Sequence, residues 1–316
     1  MTTFYKIIRF MISEIAPNFF FIERGWLNAN HFVFNGRQKI LIDTGYGSDF
    51  ASTRRWIEAV GVDLKSVDLI ISTHSHCDHI GGNRRIREIS GCRISIHPLD
   101  KQSIERGDDW ATWYRFYDQE AEFFPVDDAL EDGEMVSLGD LELQIIHTPG
   151  HARGGIALYC PKERFLISSD ALWDGDLGVL NTIVEGREAP ILAMESLEKI
   201  RSLDLQTIYP GHGGIISDPK AALRKGEDKL RSFMKSPKKL GKDHLKKILV
   251  WVLLMKRGYR ADDFFGYLLR VPWFKAVVDT YFERRYRDLF SDLLEELLAR
   301  NIIFIKDGYY QTSVKP

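Results

Sequence analysis

Three short apolar runs open the readable pattern of this chain: Phe19-Phe20-Phe21-Ile22, His31-Phe32-Val33-Phe34 and Lys39-Ile40-Leu41-Ile42. Each is four residues long, rich in aromatic or β-branched residues, and bounded by turn residues such as Asn35-Gly36, so residues 19–43 read as strands. A second set of strands is expected over 133–169, and helices over 48–60, 80–89 and 190–202. Strands interspersed with helices predict an α+β fold in which sheets are covered by helices.

The carboxyl-terminal part has a different rhythm. Lys246 to Met255 is apolar on one face, Ala261 to Leu269 forms a second helix, and Tyr281 to Arg300 reads as a long helix burying Leu289, Leu293, Leu294, Leu297 and Leu298. Ile302-Ile303-Phe304-Ile305 and Tyr309-Tyr310-Gln311-Thr312 then flank Lys306-Asp307-Gly308, the signature of a hairpin with an Asp-Gly turn. Between Leu99 and Asp128 lies an insertion dense in aromatics. There Trp110, Trp113, Tyr114 and Tyr117 have helical spacing, and the segment is expected either to pack on a sheet or to wall a substrate site.

Charge divides the chain at the same place as the pattern. The net charge is −2, yet residues 220–316 carry 22 Lys plus Arg against 12 Asp plus Glu, leaving 21 against 33 in residues 1–219. We therefore expect one domain over 1–219 and a basic one over 220–316. The 316 residues are 44% hydrophobic, enough for a substantial core, and the three cysteines form no even disulfide framework. Charged residues interrupt Met1 to Phe21 and no signal-peptide core stands out, so a cytoplasmic protein without a membrane segment is expected.

Candidate chemistry concentrates after the apolar run Leu69-Ile70-Ile71, in Ser72-Thr73-His74-Ser75-His76-Cys77-Asp78-His79. A strand delivers four strong metal-ligand side chains within six residues, so the loop can aim imidazoles at one ion and Asp78 with His79 at another. Further candidates follow at three more strand exits: His151 after Thr148-Pro149-Gly150, Asp170 after Ile167-Ser168-Ser169, and His212 in Pro210-Gly211-His212-Gly213-Gly214. Packing explains such a series poorly. By contrast, His31, His97, His147 and Cys77 read as structural residues.

The His-x-His-x-Asp-His loop, the later Thr-Pro-Gly-His, the Asp after a strand and Pro-Gly-His-Gly-Gly resemble, in this order, the motifs of metallo-β-lactamase-fold hydrolases. The resemblance runs from about Asp43 to His212, and it implies an αββα four-layer sandwich. It further implies one metal on His74, His76 and His151, another on Asp78, His79 and His212, and Asp170 bridging them. Asp43 would then hold the ligand loop. Zinc is the default pair of ions, with manganese or iron as alternatives. Two such ions lower the pKa of a shared water toward about 7, and Asp78 is expected to orient the resulting hydroxide.

The tail's order of helices and hairpin is similar to the winged-helix-like tail of lactamase-beta-2-like members. Two uses of the site follow. One is hydrolysis of an ester or thioester of an apolar acyl group, linked to coenzyme A or a carrier protein, with Trp113, Tyr117 and Trp173 as the substrate wall. The other is ribonuclease action, with nucleic acid gripped by Lys235, Lys238, Lys239, Lys242, Lys246 and Lys247. A regulatory role through protein contacts is a third reading. The oligomeric state, a homodimer included, is left open by the sequence.

Overall fold

The computed structural model describes residues 11–316; the reading of the amino terminus over residues 1–10 lies outside the described residues. The first sheet has seven strands in sequential order: β1 (Ile12–Ala16), β2 (Phe19–Ile22), β3 (His31–Asn35), β4 (Lys39–Ile42), β5 (Leu69–Ile71), β6 (Arg93–Ile96) and β7 (Asp128–Ala129). Pairing is antiparallel up to β4 and parallel from β4 to β7. Parallel pairing requires crossovers, and helices supply them. These are α1 (Phe50–Ala59), then α2 (Cys77–Ile80) with α3 (Asn83–Ser90), and finally α4 (Pro98–Glu105).

The second sheet holds β8 (Met135–Leu138), β9 (Leu141–His147), β10 (Ile156–Cys160), β11 (Phe165–Ser169) and β12 (Thr207–Pro210), in the order β12-β11-β10-β9-β8. Helix α5 (Ala189–Arg201) joins β11 to the parallel β12. Alternation in the strands decides which side chains go where. Phe19, Phe21, Phe32, Ile40 and Ile42 meet Leu143, Ile145, Leu158, Phe165 and Ile167 between the sheets. Val33, Leu41, Ile70 and Ile94 point the other way, onto Ile57 of α1 and Ile86 of α3. On the far side Ala157, Leu166 and Ile208 pack on Leu197 and Ile200 of α5. The result is the four-layer αββα sandwich expected from the sequence.

Beyond it come α6 (Pro219–Lys235), α7 (Pro237–Met255), β13 (Tyr259–Arg260), α8 (Ala261–Leu268), α9 (Pro272–Tyr281), α10 (Tyr286–Ala299), β14 (Ile303–Lys306) and β15 (Tyr309–Thr312). The Asp218 side chain accepts from Ala221 N at 2.9 Å and Pro219 opens α6, the arrangement that favours a helix start. The hairpin β14–β15 turns through Asp307 (φ 52°) and Gly308 (φ 77°), and β13 adds to it as a third strand. Both turn residues are left-handed, as a two-residue hairpin loop demands.

Two expectations about helices fail. The helix placed at Tyr281–Arg300 starts only at Tyr286, because Glu283 and Arg284 adopt positive φ (56° and 64°) and break it from α9. The aromatic insertion is also not a helix: residues 109–118 form successive turns, with Trp113 at φ 65° and Asp118 at φ 54°. Left-handed residues interrupt a helical hydrogen-bond ladder. Trp113 and Tyr117 are consequently buried, whereas Trp110 and Tyr114 stay exposed.

The insertion and the basic tail share one apolar cluster, in which Tyr46, Cys77, Trp113, Phe116 and Tyr117 join Leu249, Trp251, Trp273, Phe274 and Leu293. At its centre the Tyr117 hydroxyl and His244 Nε2 share a hydrogen bond of 2.7 Å. Burial, with Lys247 nearby, pushes the His244 pKa down to about 3, Asp243 opposing. A depressed folded-state value means stability that is present above the unfolded pKa of about 6.5 and lost as pH falls toward 3, where the unfolded chain binds the extra proton. His244→Gln takes up no proton there. Denaturant titrations of both proteins from pH 7 to 4 should show the variant's stability deficit shrinking on acidification, by up to about 1.4 kcal/mol per pH unit.

Candidate metal centre

Four strand ends converge on one buried cluster. Ligand atoms of His74, His76 and His151 lie within 4.8 Å of one another, as do those of His74, His79 and Asp170, and those of Asp78, His79 and His212. The structure thus brings together all seven residues singled out in the sequence. The first and third groups match the two expected ligand sets, and Asp170 lies between them. Its Oδ2 is 3.4 Å from His151 Nε2 and 3.8 Å from His212 Nε2, while Oδ1 is 3.6 Å from His79 Nε2. Asp78 Oδ2 lies 3.2 Å from His212 Nε2.

Four of the five imidazoles are oriented by what holds the nitrogen turned away from the cluster. His79 Nδ1 donates to Asp43 Oδ2 at 2.8 Å, and Asp43 also accepts from Thr73 N and Thr73 Oγ1 at 2.8 Å each. Asp43 therefore fastens the strand exit and one ligand with a single carboxylate. His151 Nδ1 donates to Val179 O at 2.9 Å, and His212 Nδ1 faces Gly25 O at 3.4 Å. His74 Nδ1 sits beside Thr73 Oγ1 (3.2 Å) and Ser169 Oγ (3.3 Å). His76 Nδ1 approaches His151 Nε2 at 2.9 Å.

The Nε2 atoms of His74, His76 and His79 are buried without a hydrogen-bond partner. A buried imidazole nitrogen left without a partner is costly. Divalent cations on these side chains would satisfy His74 and His79, so the donor set fits metal ions. Electrostatics agree for three of the five histidines. Burial, reinforced by the neighbouring imidazoles, holds His74 and His76 well below the usual histidine range. For His151 burial lowers the pKa to about 4, with Asp170 opposing. Such neutral imidazoles are the form that ligates. For His79 burial opposes charge, but Asp43, Asp170 and Asp78 together lift it well above that range.

Close approach of backbone makes the cluster possible. Gly211 lies against Asp170 so tightly that a methyl group there would overlap Asp170 Oδ1, and one at Gly178 would overlap His151 Nδ1. Asp43 and Ser169, each next to the site, hold positive φ of 58° and 48°. Side chains seldom tolerate this, and such backbone clusters at functional sites.

Around the cluster runs a cleft lined by Trp26, Trp113, Gln119, Trp173, Val179, Lys247, Ile248 and Trp251 besides Asp78, His151, Asp170 and His212. Trp113 stacks on His76, rings 3.5 Å apart and 23° from parallel. Trp173 Nε1 donates to Asp170 Oδ1 at 3.2 Å. Tyr117 does not reach the cleft: it is fully buried behind Trp113, its ring 4.9 Å away, and supports that wall rather than forming it. His97 and His147 stack on each other at 4.2 Å, away from the cluster, and the Cys77 thiol donates to Thr112 O at 3.3 Å.

Several contributors carry no local sequence signal. Glu185 accepts from Trp113 Nε1 at 2.9 Å and Arg153 N at 3.0 Å, with Oε1 3.7 Å from His76 Nε2; burial pushes its pKa up to about 8. Lys247, Ile248 and Trp251 come from α7, and Trp26 from the loop after β2, through tertiary packing alone.

These residues define a metallo-hydrolase type of centre on an αββα frame. The chain belongs to the metallo-beta-lactamase superfamily, whose model matches residues 24–212. It is 30% identical over 198 residues to a probable metallo-hydrolase of Methanocaldococcus jannaschii, covering 60% of this chain and 89% of that protein. It is likewise 30% identical over 174 residues to the human acyl-coenzyme A thioesterase MBLAC2, covering 47% of this chain and 60% of the relative. The match to a further relative, from Aquifex aeolicus, spans 63% of that protein. Among solved structures, a metallo-beta-lactamase family protein of Thermus thermophilus superposes with TM-score 0.60 over 95% of this chain and all of its own length, at 19% identity. That likeness is one of fold.

Two substitutions test the geometry. Asp43→Ala frees Thr73 and His79 and should weaken metal binding about 10- to 100-fold, read by zinc titration against a competing chelator; unchanged affinity would contradict the fastening role. Gly211→Ala should fold but displace Asp170, reducing the zinc retained per chain after gel filtration, whereas full occupancy would show that the close contact is dispensable.

Proposed function

We propose that the protein is a metal-dependent hydrolase acting on a thioester of an apolar acyl group, of the coenzyme A or carrier-protein-linked class. The observation that carries this reading is the cleft itself, in which four tryptophans, Val179 and Ile248 stand directly around the ligand cluster. Apolar walls accept an acyl chain and exclude bulk water from the reacting centre. The relative named as an acyl-coenzyme A thioesterase supports the same choice.

His74, His76 and His151 would hold one ion, Asp78, His79 and His212 the other, and Asp170 would face both. When bound, two divalent ions supply Lewis acidity and an acidified water. The chain's own residues do the rest. The Asp78 carboxylate, beside His212, is placed to orient the attacking water and carry its proton. The Trp173 indole holds Asp170 in its rotamer and forms part of the wall at the same time. Trp113 covers His76 on the opposite side and is itself fixed by Glu185. Zinc suits this donor set, with manganese or iron as alternatives. Cytoplasmic residence fits three cysteines that are all buried and unpaired, and no helix among the described residues is long and apolar enough to cross a membrane.

Ribonuclease action draws less support. Of the lysines that would grip phosphates, Lys238 pairs with Glu283, Lys242 and Lys246 with Glu296, and Lys247 with Asp176 and Asp243. Cations already neutralised within the molecule release few counterions on binding nucleic acid.

The deciding assay gives the zinc-loaded protein acyl-coenzyme A thioesters of increasing chain length, an aryl ester, nitrocefin and single-stranded RNA. We expect thioester turnover that rises with acyl length, is abolished by chelation or by Asp170→Ala, and returns with zinc for the wild type alone. Silence on every thioester with cleavage of RNA or nitrocefin would overturn the proposal.

A further inference from the structure

Among the polar residues around the cleft, Gln119 stands apart. Asp78, His151, Asp170 and His212 belong to the ligand cluster. Lys247 is satisfied: its ammonium donates to Asp176 Oδ1 at 2.9 Å and Leu177 O at 2.7 Å, and lies 3.1 Å from Asp243 Oδ2. Gln119 is 7% exposed, lines the cleft, and its Oε1 has no hydrogen-bond partner. A buried acceptor in that state is costly to the folded protein and poised for a donor brought by a ligand.

The backbone around Gln119 is fixed, so the side chain is presented rather than loosely tethered. Gln119 N donates to Tyr114 O at 2.9 Å, and Glu120 N donates to the Tyr46 hydroxyl at 2.9 Å. Asp118, in a left-handed conformation (φ 54°), accepts from Lys256 Nζ at 2.9 Å and from the Tyr267 hydroxyl at 3.0 Å. Three elements far apart in sequence therefore pin the residues on either side. A pre-positioned polar group loses little ordering entropy on binding.

We infer that Gln119 is a specificity-determining residue that hydrogen-bonds a secondary amide in the leaving-group arm of the substrate. This rests on the thioester reading. A carboxamide offers one acceptor and one donor group, matching the N–H and C=O of a secondary amide. The tryptophan walls suit the acyl chain, which carries no such groups. The amide therefore belongs to the thiol side, as in an acylated cysteamine-type arm.

The test compares two thiols that differ in the amide alone, N-acetylcysteamine and 1-pentanethiol, titrated into the zinc-loaded protein with tryptophan fluorescence as the readout. Wild type is set against Gln119→Leu and Gln119→Met, each checked for wild-type circular dichroism and zinc content. The expected result is that both variants bind N-acetylcysteamine about tenfold more weakly, one neutral hydrogen bond's worth, and 1-pentanethiol within about twofold of wild type. Equal loss for both thiols, or loss for neither, overturns the inference. Hydrolysis of the corresponding hexanoyl thioesters is measured alongside. Selective loss of N-acetylcysteamine binding without any turnover would remove the thioesterase reading and leave the Gln119 contact. Turnover without selective loss would remove the contact and leave the reading.

Discussion

Imidazoles and carboxylates crowded into a buried site oppose folding unless their charges and lone pairs are matched. His74 and His79 each bury an Nε2 with no partner, in one group with Asp170. Uncompensated, such groups oppose folding by several kcal/mol. The rest of the architecture makes sense as a means of holding this arrangement. Strand exits bring the ligands in, Asp43 and two backbone carbonyls turn the rings, and glycines let the loops close on Asp170 and His151.

The same cluster explains how the two halves of the chain depend on each other. Trp113 of the insertion stacks on His76, Tyr117 behind it bonds to His244 of α7, and α7 continues along the cleft as Lys247, Ile248 and Trp251. The basic helices thereby complete the wall of the site, with many of their charges paired internally. Partly buried cation–carboxylate pairs of this kind, such as Lys247 with Asp176 and Asp243, fix geometry more than they add stability.

Much of this was legible in the amino-acid sequence, for a physical reason. The candidate ligands sit at strand exits, where a short motif specifies both the side chain and the turn, so the convergence of His74, His76, Asp78, His79, His151, Asp170 and His212 could be anticipated from local sequence. The Asp307-Gly308 hairpin was equally local. The insertion misled because helical spacing says nothing of backbone sign, and Trp113 takes positive φ. Helix α6 went unread although Asp218-Pro219 marks its start, and Gln119, Glu185 and Trp26 reach the site through long-range packing alone.

The most direct measurement is zinc K-edge X-ray absorption on the loaded protein, with metal content measured on the same sample. The account predicts two ions per chain, nitrogen and oxygen neighbours only, outer-shell imidazole scattering, and a metal–metal vector at about 3.5–4 Å. One ion per chain, or a sulfur neighbour at about 2.3 Å from Cys77, would contradict it.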